Sequence, residues 1–393
     1  MQFLGDKERL LAITLYPTKI EPVDSEIIEF MPQNDLSKVK AMPVEQSDIS
    51  TSLFDDAPSA YAPVCPAVVD DAILQMVKKQ SPLVYLGTCG WGYASWRGAF
   101  YGKASGTRAL RSPEGLKILA QSPLVRCVSL ERGYQHPYSV KELSAYAEVV
   151  PEDFRFLVRA PKVFTSAFEK DHLGRMTRND QFLSLPLTEA WVEEVTNGLG
   201  AKLGVLLFEV GPFPVNQMKG VEGRQAAIEA LEGYFASVMP MVARLASGIT
   251  VALEVRNPTL LTPRLMRVIS KLGVRLVMGL NGDMPGVLRQ MRALQFCDAK
   301  TDTDTQWQLQ GPLVIRWQQG ATLRQVRRQS ELRGTDPVTR AAIASLIVRA
   351  VRSQQPTFVV VGEDAEGSAP ETLRAILTSI ESIRRGAYQR ERG

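Results

Sequence analysis

The sequence predicts a closed (β/α)8 barrel, and three observations predict it. Eight short apolar runs recur between residues 83 and 362. Segments of helical period separate most of them, the alternation expected of repeated βα units around a parallel sheet. No glycine-rich strand-to-helix turn of dinucleotide-binding type supports the competing doubly wound open sheet. Eight parallel strands with helical crossovers close most economically on themselves.

In chain order the strand candidates are LVYLGT (83–88), VRCVSLE (125–131), FRFLVRA (154–160), KLGVLLFEV (202–210), ITVALEV (249–255), VRLVMGL (274–280), PLVIRW (312–317) and TFVVVG (357–362). Most are continuous and rich in β-branched residues, as strands buried on both faces must be. SVKELSAYAEVV follows the second run, TEAWVEEVTNGL the third, residues 224–246 the fourth and TPRLMRVISKLG the fifth. PVTRAAIASLIVRAVRS and APETLRAILTSIESIRR follow the seventh and eighth. Ser139, Thr188, Thr262-Pro263 and Asp336-Pro337 read as helix N-caps.

Three regions are expected: an acidic, proline-rich, partly disordered arm over 1–80, the barrel over 81–385, and a basic tail over 386–393. The arm holds 13 acidic against 7 basic residues, a deficit of 6, while the remainder holds 39 basic and 29 acidic, a surplus of 10. Its apolar residues keep no sustained period, which argues for a largely irregular extension. Such an arm could recruit a protein partner. The basic remainder could steer phosphates or nucleic acid, or merely coat helices with arginines.

At 393 residues, 45% hydrophobic, the chain can fill a full core. No apolar run approaches the roughly 18 residues that would cross a bilayer. The start, MQFLGDKERLLAITLYP, lacks a secretory pattern, so a cytoplasmic protein is expected, with no membrane association. Cys65, Cys89, Cys127 and Cys297 are widely scattered, which suits reduced thiols and shows no zinc spacing.

In a barrel of this kind the functional groups belong at the C-terminal ends of the strands. Within TVALEVRNPTLL, Glu254 and Arg256 share one face of a strand while Val251, Leu253 and Val255 share the other. They are either a structural ion pair or site residues at the barrel mouth. The first strand runs into GTCGWGYASWRGAFYG, presenting Thr88, Trp91, Tyr93, Trp96 and Arg97, aromatic rings fit for a sugar or base unless they simply plug the rim. Other strand ends supply Ser129, Glu131, Tyr134, Gln135 and His136; then Arg159 and Lys162; Phe208, Glu209 and GPFP; Asn257; Asn281 and Asp283; Arg316, Trp317 and Gln318; and Glu363 with Asp364.

Taken together, LGTCGWGYASWRGAFY, FRFLVRAPKVFT, LGVLLFEVGPFP, ALEVRNPTLLTPRLMRVISKLGV, LVIRWQQG and FVVVGEDAEGSAPETL resemble the YecE-like family, domain of unknown function seventy-two, over roughly residues 83–380. The resemblance implies a TIM-type barrel and no established chemistry. The chain departs from the family pattern at several points. Where the family usually reads VEINSTFY, Ser129 replaces the acid and Glu131 the asparagine. No histidine follows Arg316, Gly362-Glu363 stands for the usual Asn-Asn pair, and Asn257 stands for a more usual histidine.

Two histidines, His136 and His172, exclude a multi-histidine metal cluster. A carboxylate-rich magnesium or manganese site could draw on Glu131, Glu254 and Glu363. Without metal, Glu254 and Glu131 are the candidate catalytic acids or bases. Thr88, Trp91, Tyr93, Trp96, Lys162, Arg256, Asn257 and Arg316 would bind a small anionic ligand by charge-assisted hydrogen bonds and ring faces. Cys89 has no readable histidine partner to make it a nucleophile. These groups suit a hydrolase- or lyase-type enzyme acting on a phosphorylated or sugar-like ligand. The alternative is a non-catalytic barrel that binds nucleic acid through RQVRRQSELR (324–333) and the aromatic loop, or recruits a protein through its arm.

Overall fold

The computed structural model describes residues 59–170, 172–214, 218, 220–299, 306–318 and 334–390. Most of the acidic arm, the basic stretch at 324–333 and the last three residues of the expected tail lie outside the described residues.

The chain runs α1 (Asp71–Lys78), β1 (Val84–Cys89), α2 (Pro113–Leu119), β2 (Cys127–Leu130), α3 (Val140–Glu148), β3 (Arg155–Arg159) and the single turn α4 (Lys162–Thr165). The hairpin β4 (Phe168–Lys170) and β5 (Met176–Arg178) follows, then α5 (Leu185–Leu199), β6 (Leu203–Val210), α6 (Gly220–Leu245), β7 (Thr250–Val255) and α7 (Pro263–Lys271). The chain continues through β8 (Arg275–Leu280), α8 (Val287–Asp298), β9 (Leu313–Trp317), α9 (Pro337–Arg352), β10 (Thr357–Val361) and α10 (Ala369–Arg390). Strands β1, β10, β9, β8, β7, β6, β3 and β2 pair in that order and close into a barrel, all of them parallel. These are the eight runs read from the sequence, each within two residues of its expected bounds.

The alternation of a strand sorts its side chains into two layers. Cys127, Leu157, Val205, Leu207, Ala252, Val277, Val314 and Val360 fill the barrel interior, with Tyr85 stacked on Phe358 near its N-terminal end, the two ring centroids 4.9 Å apart. The intervening residues, among them Val251, Leu253, Val255, Leu313 and Ile315, face outward and pack with the helices. Gly87 is required where β1 crosses β2, because a Cβ there would lie 1.8 Å from the Cys127 carbonyl oxygen.

Caps start the helices where the sequence places them in three of four cases. Ser139 forms a full capping box with Glu142, Thr262 caps α7 and Asp336 caps α9. Thr188 does not cap: α5 begins at Leu185-Pro186, so Thr188 lies inside it and shares a hydrogen bond with the Tyr234 hydroxyl. The arm is not irregular throughout, since residues 71–78 are helical and Asp70 caps them. Just before that helix the chain runs along the β1 loop, with Ala67 N–H donating to Phe100 O and Gly102 N–H to Cys65 O. The expected basic tail continues α10 as far as Arg390.

Candidate active site at the barrel mouth

The same alternation carries on past the apolar interior. On β2, β3, β6, β7 and β9 the positions toward the C-terminal end that face inward are Glu131, Arg159, Glu209, Glu254, Arg256 and Arg316. Three carboxylates and three guanidiniums therefore meet on the barrel axis. Burying so many charges is tolerable only because each finds an opposite partner.

Arg316 is the centre of the cluster and has no exposed surface. Its Nε donates to Glu131 Oε1 at 3.1 Å and its Nη2 to Glu131 Oε2. Its Nη1 donates to Glu209 Oε2 at 2.8 Å and to Glu254 Oε2 at 2.9 Å. Arg256 Nη1 reaches Glu254 Oε1 at 3.0 Å, and Arg159 Nη2 reaches Glu209 Oε1 at 2.7 Å. Room for the buried Glu254 carboxylate comes from Gly279 on β8, where a Cβ would lie 2.5 Å from Glu254 Oε1.

The surroundings set the protonation states. Burial pushes Glu131 upward, but the Arg316 guanidinium, by charge and hydrogen bonding, and then Arg159 more than offset it and hold the carboxyl at about 2. Burial dominates at Glu254 and raises it above the usual carboxylate range, against the pull of Arg316. The Cys89 thiol is pushed well up by burial and then by Glu131, which disfavours the thiolate that a nucleophile would need.

Above the cluster opens a cavity of about 700 Å³. Its floor includes Glu131, Arg159 and Arg256, whose side chains keep 24%, 14% and 21% exposure. Trp91, Tyr93, Tyr138 and Tyr146 contribute aromatic walls. Arg111, Arg132, Asn281, Gln318, Glu363 and Asp364 add polar groups around it. Residues from the ends of β1, β2, β3, β7, β8, β9 and β10 thus share one opening.

Of the site residues read from the sequence, Glu131, Trp91, Tyr93 and Arg256 line this cavity. Glu254 and Arg316 lie beneath it and are fully buried. Thr88 is buried, its hydroxyl donating to Gly90 O at 2.7 Å, and does not reach the cavity. Trp96 is also buried and donates its indole N–H to Glu363 Oε2 at 2.6 Å, so it is a wall support and not a ligand surface. Lys162 is exposed on α4, away from the cavity lining.

Asn257 is a structural clamp. Its Oδ1 accepts from Phe213 N–H at 2.7 Å and its Nδ2 donates to Phe213 O at 2.9 Å, fastening the turn that follows β6 and its cis Gly211-Pro212 bond. The proposed carboxylate set for magnesium or manganese does not converge. Glu131 and Glu254 are tied to arginines and Glu363 to an indole N–H, and no acidic, histidine or cysteine triplet suited to a metal occurs among the described residues.

Tyr138, Tyr146 and Arg111 were missed. Arg111 and Tyr138 lie deep in the long βα loops after β1 and β2, well past the strand ends, and Tyr146 lies inside α3. Arg159, Glu209, Asn281 and Gln318 carry the strand-end signal, but the sequence assigns them no particular role.

No curated protein matches the chain. Among solved structures, a DUF72 family protein from Enterococcus faecalis is 13% identical with a TM-score of 0.48, covering 76% of this chain and 95% of its own. Another from Thermotoga maritima is 15% identical with a TM-score of 0.47, covering 77% of this chain and 99% of its own. Likenesses this distant carry no argument about chemistry. A family model described as "Protein of unknown function DUF72" matches residues 85–391, and the chain belongs to that family.

Proposed function

We propose that the mouth cavity binds a compact, oxygen-rich ligand of sugar-like chemistry bearing at most one negative charge, and that any hydrolase- or lyase-type turnover occurs there. Arg159 carries this reading. Its Nη2 is satisfied by Glu209, but its Nη1 stands 3.6 Å from Glu131 Oε2 and its Nε is buried without a partner. A buried unsatisfied donor on a charged group costs on the order of 1–3 kcal/mol. Nε itself is closed off, so the atom that a ligand hydroxyl or carboxylate oxygen would engage from the cavity is Nη1, whose contact with Glu131 is long.

The charge balance favours a sugar over a phosphate ester. The lining arginines 111, 132, 159 and 256 and the underlying Arg316 are matched by Glu131, Glu363, Asp364, Glu209 and Glu254, five cations against five anions. Such a site has no net field to concentrate a dianion. Aromatic walls with interspersed donors and acceptors suit a polyhydroxylated ring. For turnover, Glu131 is held ionised and Glu254 has no route to the cavity. Asp364, exposed on the lining and without a side-chain partner among the described residues, is the carboxylate to which this reading gives proton exchange with a bound ligand.

The test is calorimetry and thermal shift with D-glucuronate, methyl β-D-glucopyranoside, D-glucose 6-phosphate and a single-stranded oligonucleotide, on the parent and on Arg159→Met. The reading expects a sugar or sugar acid to bind the parent and to weaken at least tenfold in Arg159→Met. Binding of the oligonucleotide or the phosphate ester in preference, or of no sugar at all, would count against it.

A further inference from the structure

We infer that Tyr93 is the platform on which a sugar ring stacks in the mouth cavity, and that Glu363 is a positioning residue that sets this platform through Trp96; the inference rests on the sugar-binding reading above. Among the aromatic residues of the lining, Tyr93 is the one most open, at 37% exposure. Trp91 is half-buried, its indole N–H given to Ser112 O at 3.2 Å and its ring set edge-on to Tyr146. Tyr138 is buried, with the Arg132 guanidinium 4.3 Å from its ring centroid.

Tyr93 does not stand alone. Its ring lies 4.7 Å from Trp96, tilted by 34°. Trp96 is in turn fixed edge-on by Phe100 at 5.4 Å and by the hydrogen bond of its Nε1 to Glu363 Oε2. Glu363 accepts two further bonds, from Ser95 Oγ at 2.8 Å and from the Ala369 N–H at 3.1 Å, at the first residue of α10. One carboxylate thus joins the end of β10, the start of α10 and the loop that carries Tyr93.

The loop needs such a grip. Gly90, Gly92 and Gly98 have φ of 78°, 87° and 84°, left-handed conformations that glycine adopts at no steric cost, and backbone bonds such as Trp96 N–H to Tyr93 O hold the turns without setting the side chains. A carboxylate at a barrel mouth invites a catalytic reading, yet the oxygens of Glu363 are spent on three donors that fix an aromatic wall. Burial, then Cys89 and Glu363, push the Tyr93 phenol up to about 12, so the ring presents a neutral face with a hydroxyl donor at its edge.

The experiment is calorimetry on the full chain with methyl β-D-glucopyranoside and D-glucuronate as probes. The variants are Tyr93→Ala, Tyr93→Phe, Glu363→Gln, Trp96→Phe, the double variant Trp96→Phe/Glu363→Gln, and Arg159→Met as the control for the underlying reading. An aromatic contact of ordinary strength makes the Tyr93→Ala loss about tenfold. Its thermal midpoint should fall only slightly, because more than a third of the side chain is already exposed, and Tyr93→Phe should bind nearly as the parent does. Glu363→Gln should weaken binding several-fold in the parent background and add nothing in the Trp96→Phe background, a coupling that a merely structural role would not produce.

Parent-like binding by Tyr93→Ala while Arg159→Met fails would overturn the platform and leave the cavity reading intact. Equal losses from Glu363→Gln in both backgrounds would overturn the positioning role. Absence of binding to the parent by either probe would remove both readings together.

Discussion

Replacing Arg316 with methionine keeps most of the side-chain stem and removes the guanidinium that joins Glu131, Glu209 and Glu254. Two arginines would then face three carboxylates at a largely buried site, with Glu209 and Glu254 almost wholly closed to water. Breaking a buried ion pair by removing one partner costs about 3–5 kcal/mol, because a charge is left uncompensated. A second route gives a similar size. Holding Glu131 at about 2 instead of 4.5 corresponds to about 3 kcal/mol, reduced by the solvent that reaches a side chain 24% exposed.

The cost should depend on pH in a definite direction. In the parent, the depressed Glu131 contributes stability that is present above about 4.5 and is lost as pH falls toward about 2. In Arg316→Met, Glu254 is already raised by burial and loses its strongest counter-charge, so it rises further. A carboxyl with a raised folded value destabilises the protein above that value and is relieved as pH falls through it. The gap between the two proteins should therefore be largest at pH 7 and narrower at pH 4. Thermal unfolding followed by circular dichroism should show a midpoint lower by roughly 5–10 °C at pH 7. Equal midpoints at pH 7, or a deficit unchanged at pH 4, would refute the idea that Arg316 balances buried charge.

Other residues give independent checks. Asn257→Ala frees both backbone groups of Phe213 and should cost about 2–3 kcal/mol, read as a lower urea midpoint with the barrel's circular dichroism retained; an unchanged midpoint would deny the clamp. Gly279→Ala drives a methyl against the Glu254 carboxylate and should destabilise by about 1–3 kcal/mol, which thermal unfolding would detect. Cys89, Cys127 and Cys297 are buried and their thiols are pushed up by burial. Native protein at pH 8 should accordingly react with an aromatic disulfide reagent fastest at Cys65, and rapid modification of Cys89, which borders the cavity, would contradict the raised thiol.

The barrel was legible because its strands are written as uninterrupted apolar runs, from LVYLGT to TFVVVG, which a parallel sheet covered on both faces requires. Helices with a serine, threonine or aspartate before a proline or a capping partner were equally plain. Other helices were less plain: α8 starts after Gly286 with no side-chain cap, and α2, although Ser112 caps it just before Pro113, is only seven residues long with Gly115 inside it. The β4–β5 hairpin has three-residue strands, and Met176–Arg178 is exposed throughout, so it carries no period. At α5 a helix that opens on Leu185-Pro186 disguised its own start, and Thr188 was mistaken for the cap.

The site was legible in part for a related reason. Alternation along β7 foretold that Glu254 and Arg256 share a face, and the 3.0 Å contact between them bears that out. Depth was not encoded in that pattern. Two residues along a strand separate the sealed Glu254 from the partly open Arg256, and the sequence marks both simply as charged. Nor could spacing reveal that Trp96, two residues short of Gly98, turns its ring into the core toward Glu363, which lies 267 positions away.

The most direct measurement is a crystal structure of the protein soaked with D-glucuronate. The account expects the sugar in the mouth cavity, with an oxygen within hydrogen-bonding distance of Arg159 Nη1 and the ring over Tyr93. Sugar bound elsewhere, or a mouth in which Arg159 Nε is already satisfied by another protein group, would contradict it.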